Sequence, residues 1–461
     1  MNKKIVILVV FLLALTIGLT ACNNKQYKQD AVTGMELDAP VTGNGGLVVK
    51  QGKHIYYINA YTGADADNTF GKQTKTSLMR AELDADGKLV EGSQIVMVPK
   101  NIYSGSTQSG IYIYNNYLYY ATPNVDKDKS GNINTVYLDF YRTSIDRTVT
   151  ELVYTVKGRS ADFRFSGGNI IVMADGVVSR IDLNKKNAKK IQDKKNFVTV
   201  MERASGFMPL LADNEFGNYA LVLQSLSTDD SWKKYNMLYA VDGGGNAKEI
   251  ISGGVFDSPQ TLAVLDYVVE SDGLTLYYTK TDSNSKKTLC CYKFANTSFE
   301  FDKTKEKQLV REYSGTLVKG LSYDDGAIVS SSSNPYLVKV TAESIGNPEI
   351  INDKKAVTVK FVKDGYVYYT ATSNAATLYR FKLDPVLNES GNDTRIEEKV
   401  CDMTLSTAWI GMDILGDYAY YLDSKTGYTF RVKLAEGQTA ELIGLMTPED
   451  KENYEKEQEE K

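Results

Sequence analysis

Apolar residues along this chain fall in short runs, each opened by a turn residue and rich in aromatic and β-branched side chains. Eight such runs can be aligned: Gly52-Lys53-His54-Ile55-Tyr56-Tyr57, Asn116-Tyr117-Leu118-Tyr119-Tyr120, Gly168-Asn169-Ile170-Ile171-Val172, Gly217-Asn218-Tyr219-Ala220-Leu221-Val222, Gly273-Leu274-Thr275-Leu276-Tyr277-Tyr278, Gly326-Ala327-Ile328-Val329, Gly365-Tyr366-Val367-Tyr368-Tyr369 and Gly416-Asp417-Tyr418-Ala419-Tyr420-Tyr421. A second motif follows most of them, clearest at Leu378-Tyr379-Arg380-Phe381-Lys382-Leu383-Asp384 and weaker at 78–84, 140–146, 178–183 and 428–434. Short apolar runs before the first motif and after the second bring each unit to four strands. From Gly52 to Gly416 the units average 52 residues, with intervals from 39 to 64. Propeller blades repeat at about 40–50 residues, because one four-stranded sheet cannot bury both faces alone. The pattern therefore predicts an all-β protein, a β-propeller of eight four-stranded blades, with seven if a degenerate unit has been counted as a blade.

Turn chemistry agrees with the period. Asp272-Gly273, Asp325-Gly326 and Asp364-Gly365 stand between the first and second strands, where a two-residue hairpin turn with positive φ favours Asn or Asp followed by Gly. No sustained 3.6-residue apolar period reaches helix length within 41–446, which argues against a helical solenoid and an α/β fold. Each tyrosine doublet puts one ring on each face of a strand, so these rings are expected to pack between blades.

The Ile-Tyr-Tyr and Leu-Tyr-Arg-x-x-Leu-Asp elements resemble those of YWTD-like propellers of the low-density-lipoprotein-receptor type, and of propeller domains in bacterial surface lipoproteins. The resemblance spans about residues 45–440 and implies a propeller; its motifs are blade strands and name no ligand. This chain carries Tyr-Tyr where the receptor type has Tyr-Trp-Thr-Asp.

The amino terminus reads as an address. Lys3 and Lys4 precede an apolar run from Ile5 to Ile17, followed by Gly18 and Leu19-Thr20-Ala21-Cys22. These are the n-region, h-region and small-residue cleavage site of an export signal, too short and wrongly flanked for a spanning helix. Leu-x-Ala-Cys resembles a bacterial lipobox. That resemblance implies lipidation of Cys22, cleavage before it, and an exported chain anchored at the outer face of the cytoplasmic membrane; the alternative is a secretory signal with an incidental cysteine. The layout is then a signal peptide at 1–21, a tether at 22–40, the propeller at 41–446 and a charged, disordered tail at 447–461.

Charge and composition narrow the chemistry. The 461 residues carry a net charge of −5, which becomes −7 once Lys3 and Lys4 leave with the signal. An acidic chain lacks the basic footprint of a general nucleic-acid binder. With one histidine, His54, and no Gly-x-Ser-x-Gly elbow, a Ser-His-Asp triad has little to work with. Cys290, Cys291 and Cys401 show no metal-ligand spacing. Asp126, Asp128, Ser130, Asn132 and Asn134 follow the first half of a calcium loop, with Gly131 at its turn. Position 12 is Tyr137 rather than glutamate, so a further ligand such as Asp139 would be needed, and the competing reading is a solvated turn. Asp65-Ala66-Asp67-Asn68 and Asp84-Ala85-Asp86-Gly87 read as turns. Structural calcium is the one cofactor in view. The functional expectation is a surface module that binds or scaffolds an envelope protein or glycan. The alternative is an extracellular carbohydrate-active hydrolase or lyase with carboxylates converging in the channel.

Overall fold

The computed structural model describes residues 28–459, apart from 62–67, 72–74, 103–109, 125–129, 131–136, 158–160, 167, 184–196, 213, 227–228, 230–231, 320–325, 331–336, 346–348, 353–356, 372–373 and 406–411. The described residues form eight antiparallel sheets in a ring, each a four-stranded meander from one contiguous stretch: 41–98, 112–157, 162–202, 204–252, 261–311, 316–352, 357–402 and 413–442. These are blades 1 to 8 of a β-propeller, as the repeat predicted. Blade 1 adds a two-residue strand, Val41–Thr42, on its inner edge.

The two sequence motifs are halves of one hydrogen-bonded unit. The glycine-led run is the second strand of a blade and is almost wholly buried, as in His54–Ile58 and Tyr418–Leu422. Its neighbours along the sheet cover both edges, and adjoining blades cover both faces. The Leu-Asp that ends the second motif folds back onto the turn that opens the first. Leu83, Ile145, Leu183, Leu383 and Leu434 donate their N–H groups to the carbonyls of Lys53, Asn116, Gly168, Gly365 and Asp417, at 2.6–3.0 Å. The aspartate then shapes the next turn: Asp84 accepts the N–H groups of Asp86 and Lys88 at 2.9 and 2.8 Å. At Asp364-Gly365 both φ angles are positive, 51° and 74°, the turn whose twist matches the flanking strands.

The tyrosine doublets pack as expected, with a division of labour. The first ring of each faces the following blade and the second faces the preceding one: Tyr368 packs with blade 8 and Tyr369 with Ile328 and Leu337 of blade 6, while Tyr277 packs with blade 6 and Tyr278 with blade 4. The arginine of the second motif lies directly across from the first ring in four blades, pairing Tyr56 with Arg80, Tyr119 with Arg142, Tyr368 with Arg380 and Tyr420 with Arg431. In blades 2, 7 and 8 the guanidinium stacks 4.3–4.5 Å over Tyr117, Tyr366 or Tyr418. A glutamate of the fourth strand, Glu151, Glu398 or Glu441, completes the set at 2.5–2.7 Å. The arginine also reaches the next blade: Arg380 of blade 7 donates to Leu434 O of blade 8, and Arg431 of blade 8 donates to Gly87 O of blade 1, both at 2.8 Å. The same link that joins blade 7 to blade 8 thus joins blade 8 back to blade 1.

Backbone contacts complete this seam. Ala60 and Tyr428 form an antiparallel bridge. Thr429 N–H donates to Asn59 O at 2.9 Å, and Tyr61 N–H to Gly427 O at 3.0 Å. The Tyr57 hydroxyl donates to Ile443 O at 2.7 Å.

The segment after the last blade departs from the disordered tail expected for 447–461. Pro448–Glu459 is a helix, α1. The Thr447 hydroxyl oxygen accepts the Asp450 N–H at 3.2 Å as its N-cap. The Asp450 carboxylate takes the Tyr428 hydroxyl at 2.7 Å and Lys75 at 2.9 Å. Partial burial would raise the Asp450 pKa, but these donors win and hold it at about 2. Tyr454 leans on Phe430 at 6.4 Å. The tail carries no apolar stripe, so polar capping and a single ring, rather than an amphipathic face, hold this helix.

Arg431 is 1% exposed, and Arg431→Ala removes hydrogen bonds from a charged donor at the seam. Urea denaturation is expected to show a loss of about 2–3 kcal/mol. Lys456→Ala, which breaks an ion pair between two side chains more than 60% exposed, leaves the midpoint unchanged.

Candidate functional site

Meander topology gives the ring two distinct faces. Turns between first and second strands, and between third and fourth, lie on one side, the turn face. Turns between second and third strands, and the links between blades, lie on the other, the linker face.

A cavity of about 320 Å³ sits in the central channel toward the turn face, lined by Gly43, Asn44, Arg164, Leu211, Asp413 and Leu415 among others, from blades 1, 3, 4 and 8. Residues 43–46, Gly-Asn-Gly-Gly, link the extra strand of blade 1 to its next strand and plug this channel. The Asn44 side chain pairs with Ile113 of blade 2, accepting its N–H at 2.8 Å and donating to its O at 3.2 Å. Gly45 and Gly46 exchange backbone hydrogen bonds with Gly110 and Ile111. The Asp413 carboxylate of blade 8 accepts the N–H groups of Leu47 and Val48. From blade 3, Arg164 is 6% exposed and donates to Asn44 O at 3.3 Å and to Gly217 O at 3.4 Å. The glycines are required: Gly45 has φ +91° and a Cβ there would meet Arg164 Nη1 at 2.8 Å, while one on Gly46 would meet Asp413 Oδ2 at 2.5 Å.

Among the described residues lining this cavity the charged groups are one guanidinium and one carboxylate, and the carboxylate is already held by main-chain amides. Glycoside hydrolysis needs two carboxyl groups about 5–10 Å apart across a sugar. Among the described residues no group of three His, Cys, Asp or Glu side chains could hold a metal. Sequence reasoning missed the plug, although an arginine in Asp162-Phe163-Arg164-Phe165, an otherwise aromatic strand, was a usable signal.

Cys22 and the calcium-loop residues Asp126, Asp128, Asn132 and Asn134 lie outside the described residues. Ser130 is exposed in a turn. Asp139, the further ligand considered for that loop, is buried; it accepts two 3.0 Å hydrogen bonds from Asn124 and one of 2.6 Å from Thr155. Cys290, Cys291 and Cys401 are free and buried. Burial pushes the Cys290 thiol well up, Cys291 to about 11 and Cys401 to about 12. All three are thiols rather than thiolates near neutral pH, which is the wrong state for a nucleophile. His54 is 2% exposed, and burial followed by the nearby Arg80 lowers its pKa from 6.5, with Glu82 opposing.

No protein-family model matches this chain, and no curated protein matches it. Among solved structures it is similar to AztD of Citrobacter koseri, at 12% identity and TM-score 0.33, over 79% of this chain and 94% of that one. It is also similar to the propeller domain of the trilobed protease of Pyrococcus furiosus, described as having an open velcro topology, at 13% identity and TM-score 0.38, over 72% and 96%. A chain of a nidogen–laminin complex aligns at 7% identity and TM-score 0.26, over 59% and 88%. At such values the likenesses add nothing to the eight sheets, which by themselves define the class: an eight-bladed β-propeller.

The lone imidazole makes one pH effect assignable. Its native pKa lies below the unfolded value of about 6.5, so between the two the unfolded chain holds a proton that the native state refuses. Stability is expected to be full above pH 6.5 and to fall as the pH drops through that window. Denaturation at pH 7.5 and 5.5 should show the fall in the native protein and a flatter profile in His54→Gln. Iodoacetamide at pH 7.5 should label Cys290, Cys291 and Cys401 only after unfolding.

Proposed function

We propose that this chain is a lipid-anchored propeller of the cell envelope that binds or scaffolds an envelope protein or glycan. The observation that carries the reading is how its functional groups are used. The doublet tyrosines, Arg380, Arg431 and the channel carboxylate Asp413 are committed to holding blades together, which leaves a rigid disc whose turns and links are its working surface. Lys3, Lys4, the apolar run and Cys22 support export and lipidation. The path of the chain after Cys22 supports a defined orientation. Instead of a free tether, residues 29–40 run over the turn face. Gln29 donates to Met97 O at 2.9 Å on the outer strand of blade 1, and from there the chain crosses the turn face, where Arg147 donates to Asp30 O at 3.0 Å and Gln51 donates to Leu37 O at 3.2 Å. Val32 N–H donates to Asp146 O at 3.0 Å. An anchor a few residues before this strap turns that face toward the membrane and the linker face outward. The oxygen donors Asp126, Asp128, Ser130, Asn132 and Asn134 around Gly131 support calcium as the ligand of this loop.

Fatty-acid labelling of cells is expected to mark the native chain and leave Cys22→Ser unlabelled and released from the membrane fraction. Labelling that survives the substitution would remove the anchor. Detergent-extracted native chain should enrich one envelope protein or glycan that the heat-denatured chain does not, and repeating the capture with and without calcium tests the loop. Equal recovery of every envelope component by native and denatured chain would remove the binding reading.

A further inference from the structure

Of the five blades that carry a tyrosine doublet, blade 5 breaks the pattern that the other four share. Two residues after the second tyrosine position the repeat has Asn59, Thr122, Ala371 and Asp423, but blade 5 has Lys280. In the same blade Cys291, not arginine, stands across from the first tyrosine, Tyr277. Lys280 is 7% exposed and forms an ion pair with Glu306, whose side chain is 4% exposed. The Tyr278 hydroxyl donates to Glu306 at 2.6 Å, the Cys290 thiol lies 3.6 Å from the same carboxylate, and the Lys280 ammonium sits 4.2 Å from the centre of the Phe256 ring. A buried ion pair is a poor way to gain stability, since apolar side chains of similar volume often do as well or better. Among the described residues this is the lysine–carboxylate pair with both side chains under 10% exposed, and it does not link blades as the arginine–glutamate pairs do, so it calls for another reason.

That reason is the space above it. The pair forms part of a cleft of about 580 Å³ between blade 5 and the link that leads into it from blade 4, within the range of roughly 300–1,000 Å³ usual for small-molecule sites. The cleft opens on the linker face, because its walls include the link from blade 4 to blade 5, the Asp282–Lys286 turn and the end of the fourth strand at Arg311. Four basic side chains, Lys280, Lys286, Lys303 and Arg311, are interleaved with four acidic ones, Asp257, Asp282, Glu306 and Glu312, and three of each stand in the ion pairs Lys280–Glu306, Lys286–Glu312 and Lys303–Asp257. Ser258, Gln260, Thr288, Thr304 and Gln308 supply hydroxyls and carboxamides, and Phe256 is the one apolar ring. A ligand of net charge would have to compete with these ion pairs. An apolar ligand would strip water from groups it cannot hydrogen-bond. A ligand dense in hydroxyls, each able to donate and accept, suits such a lining.

We propose that this cleft, between blade 5 and the link before it, is a binding site for a neutral saccharide. This deepens the reading of the chain as a binding module and rests on it, choosing glycan over protein and fixing the place. Lys280 and Glu306 are held ready at the buried end, with Tyr278 fixing the carboxylate, so that binding costs little reordering of the charged groups.

The test titrates the full chain in detergent with maltohexaose, cellohexaose, mannohexaose and chitohexaose, followed by calorimetry. At least one is expected to bind with Kd of about 1 mM or tighter, on the order of 4 kcal/mol. Gln308→Ala and Thr288→Val, which leave the ion pair in place, should each weaken that binding several-fold, and Lys280→Met tenfold or more, at unchanged melting temperature for the first two. Trp232→Ala, an exposed ring in blade 4, should leave binding intact. If none of the four binds, or if binding persists unchanged in both Gln308→Ala and Thr288→Val, the cleft is not the saccharide site. An envelope protein still captured by the native chain would then leave the broader reading standing.

Discussion

Closing the ring is the constraint on which everything else depends. Each blade comes from one contiguous stretch of chain, and no sheet combines strands from the two ends. Blade 8 must therefore hold blade 1 with side chains and a few backbone hydrogen bonds, as any neighbouring pair does. The structure meets this with a repeated device: a buried arginine stacked on a tyrosine, neutralised by a glutamate and extended to a carbonyl of the next blade. Arg431 makes this link across the seam to Gly87, and Arg380 makes it one step earlier to Leu434. Desolvating a guanidinium is tolerable here because aromatic, carboxylate and carbonyl partners surround it.

The same constraint accounts for the quiet channel. First strands of the blades must approach the axis without clashing, and the Gly43–Gly46 turn fills the space left near the turn face, touching blades 2, 3 and 8. Asp413 and Arg164 then serve that turn. A charged pair in a propeller channel suggests catalysis until its partners are counted, and here they are backbone groups. In the proposed orientation the linker face, away from the amino-terminal strap, is the one left to meet other molecules.

Much of the fold was legible because it repeats. A tyrosine doublet after a glycine states that a strand is buried on both faces, and five copies state it better than one. Asp364-Gly365 named its turn, and the Leu-Asp ending marked the return of the third strand. What stayed hidden depends on residues far apart in sequence. Nothing local in Gly43-Asn44-Gly45-Gly46 says that Arg164 and Asp413 lie against it, and a run rich in Glu and Lys hides that Asp450 would meet Tyr428 and Lys75. Lys280 was visible as a departure from the repeat, but its partner Glu306 is brought to it only by the loop that leads into the fourth strand. The amino-terminal address was legible as chemistry alone.

Amide hydrogen exchange at the seam tests the closed ring most directly. Thr429 donates its N–H to Asn59 and Tyr61 donates to Gly427, so in the closed ring both amides should exchange as slowly as those within the Gly273–Thr281 strand of blade 5. Exchange at the rate of an exposed strand edge, while the blade 5 amides stay protected, would mean that blades 8 and 1 are not joined and that the propeller is open.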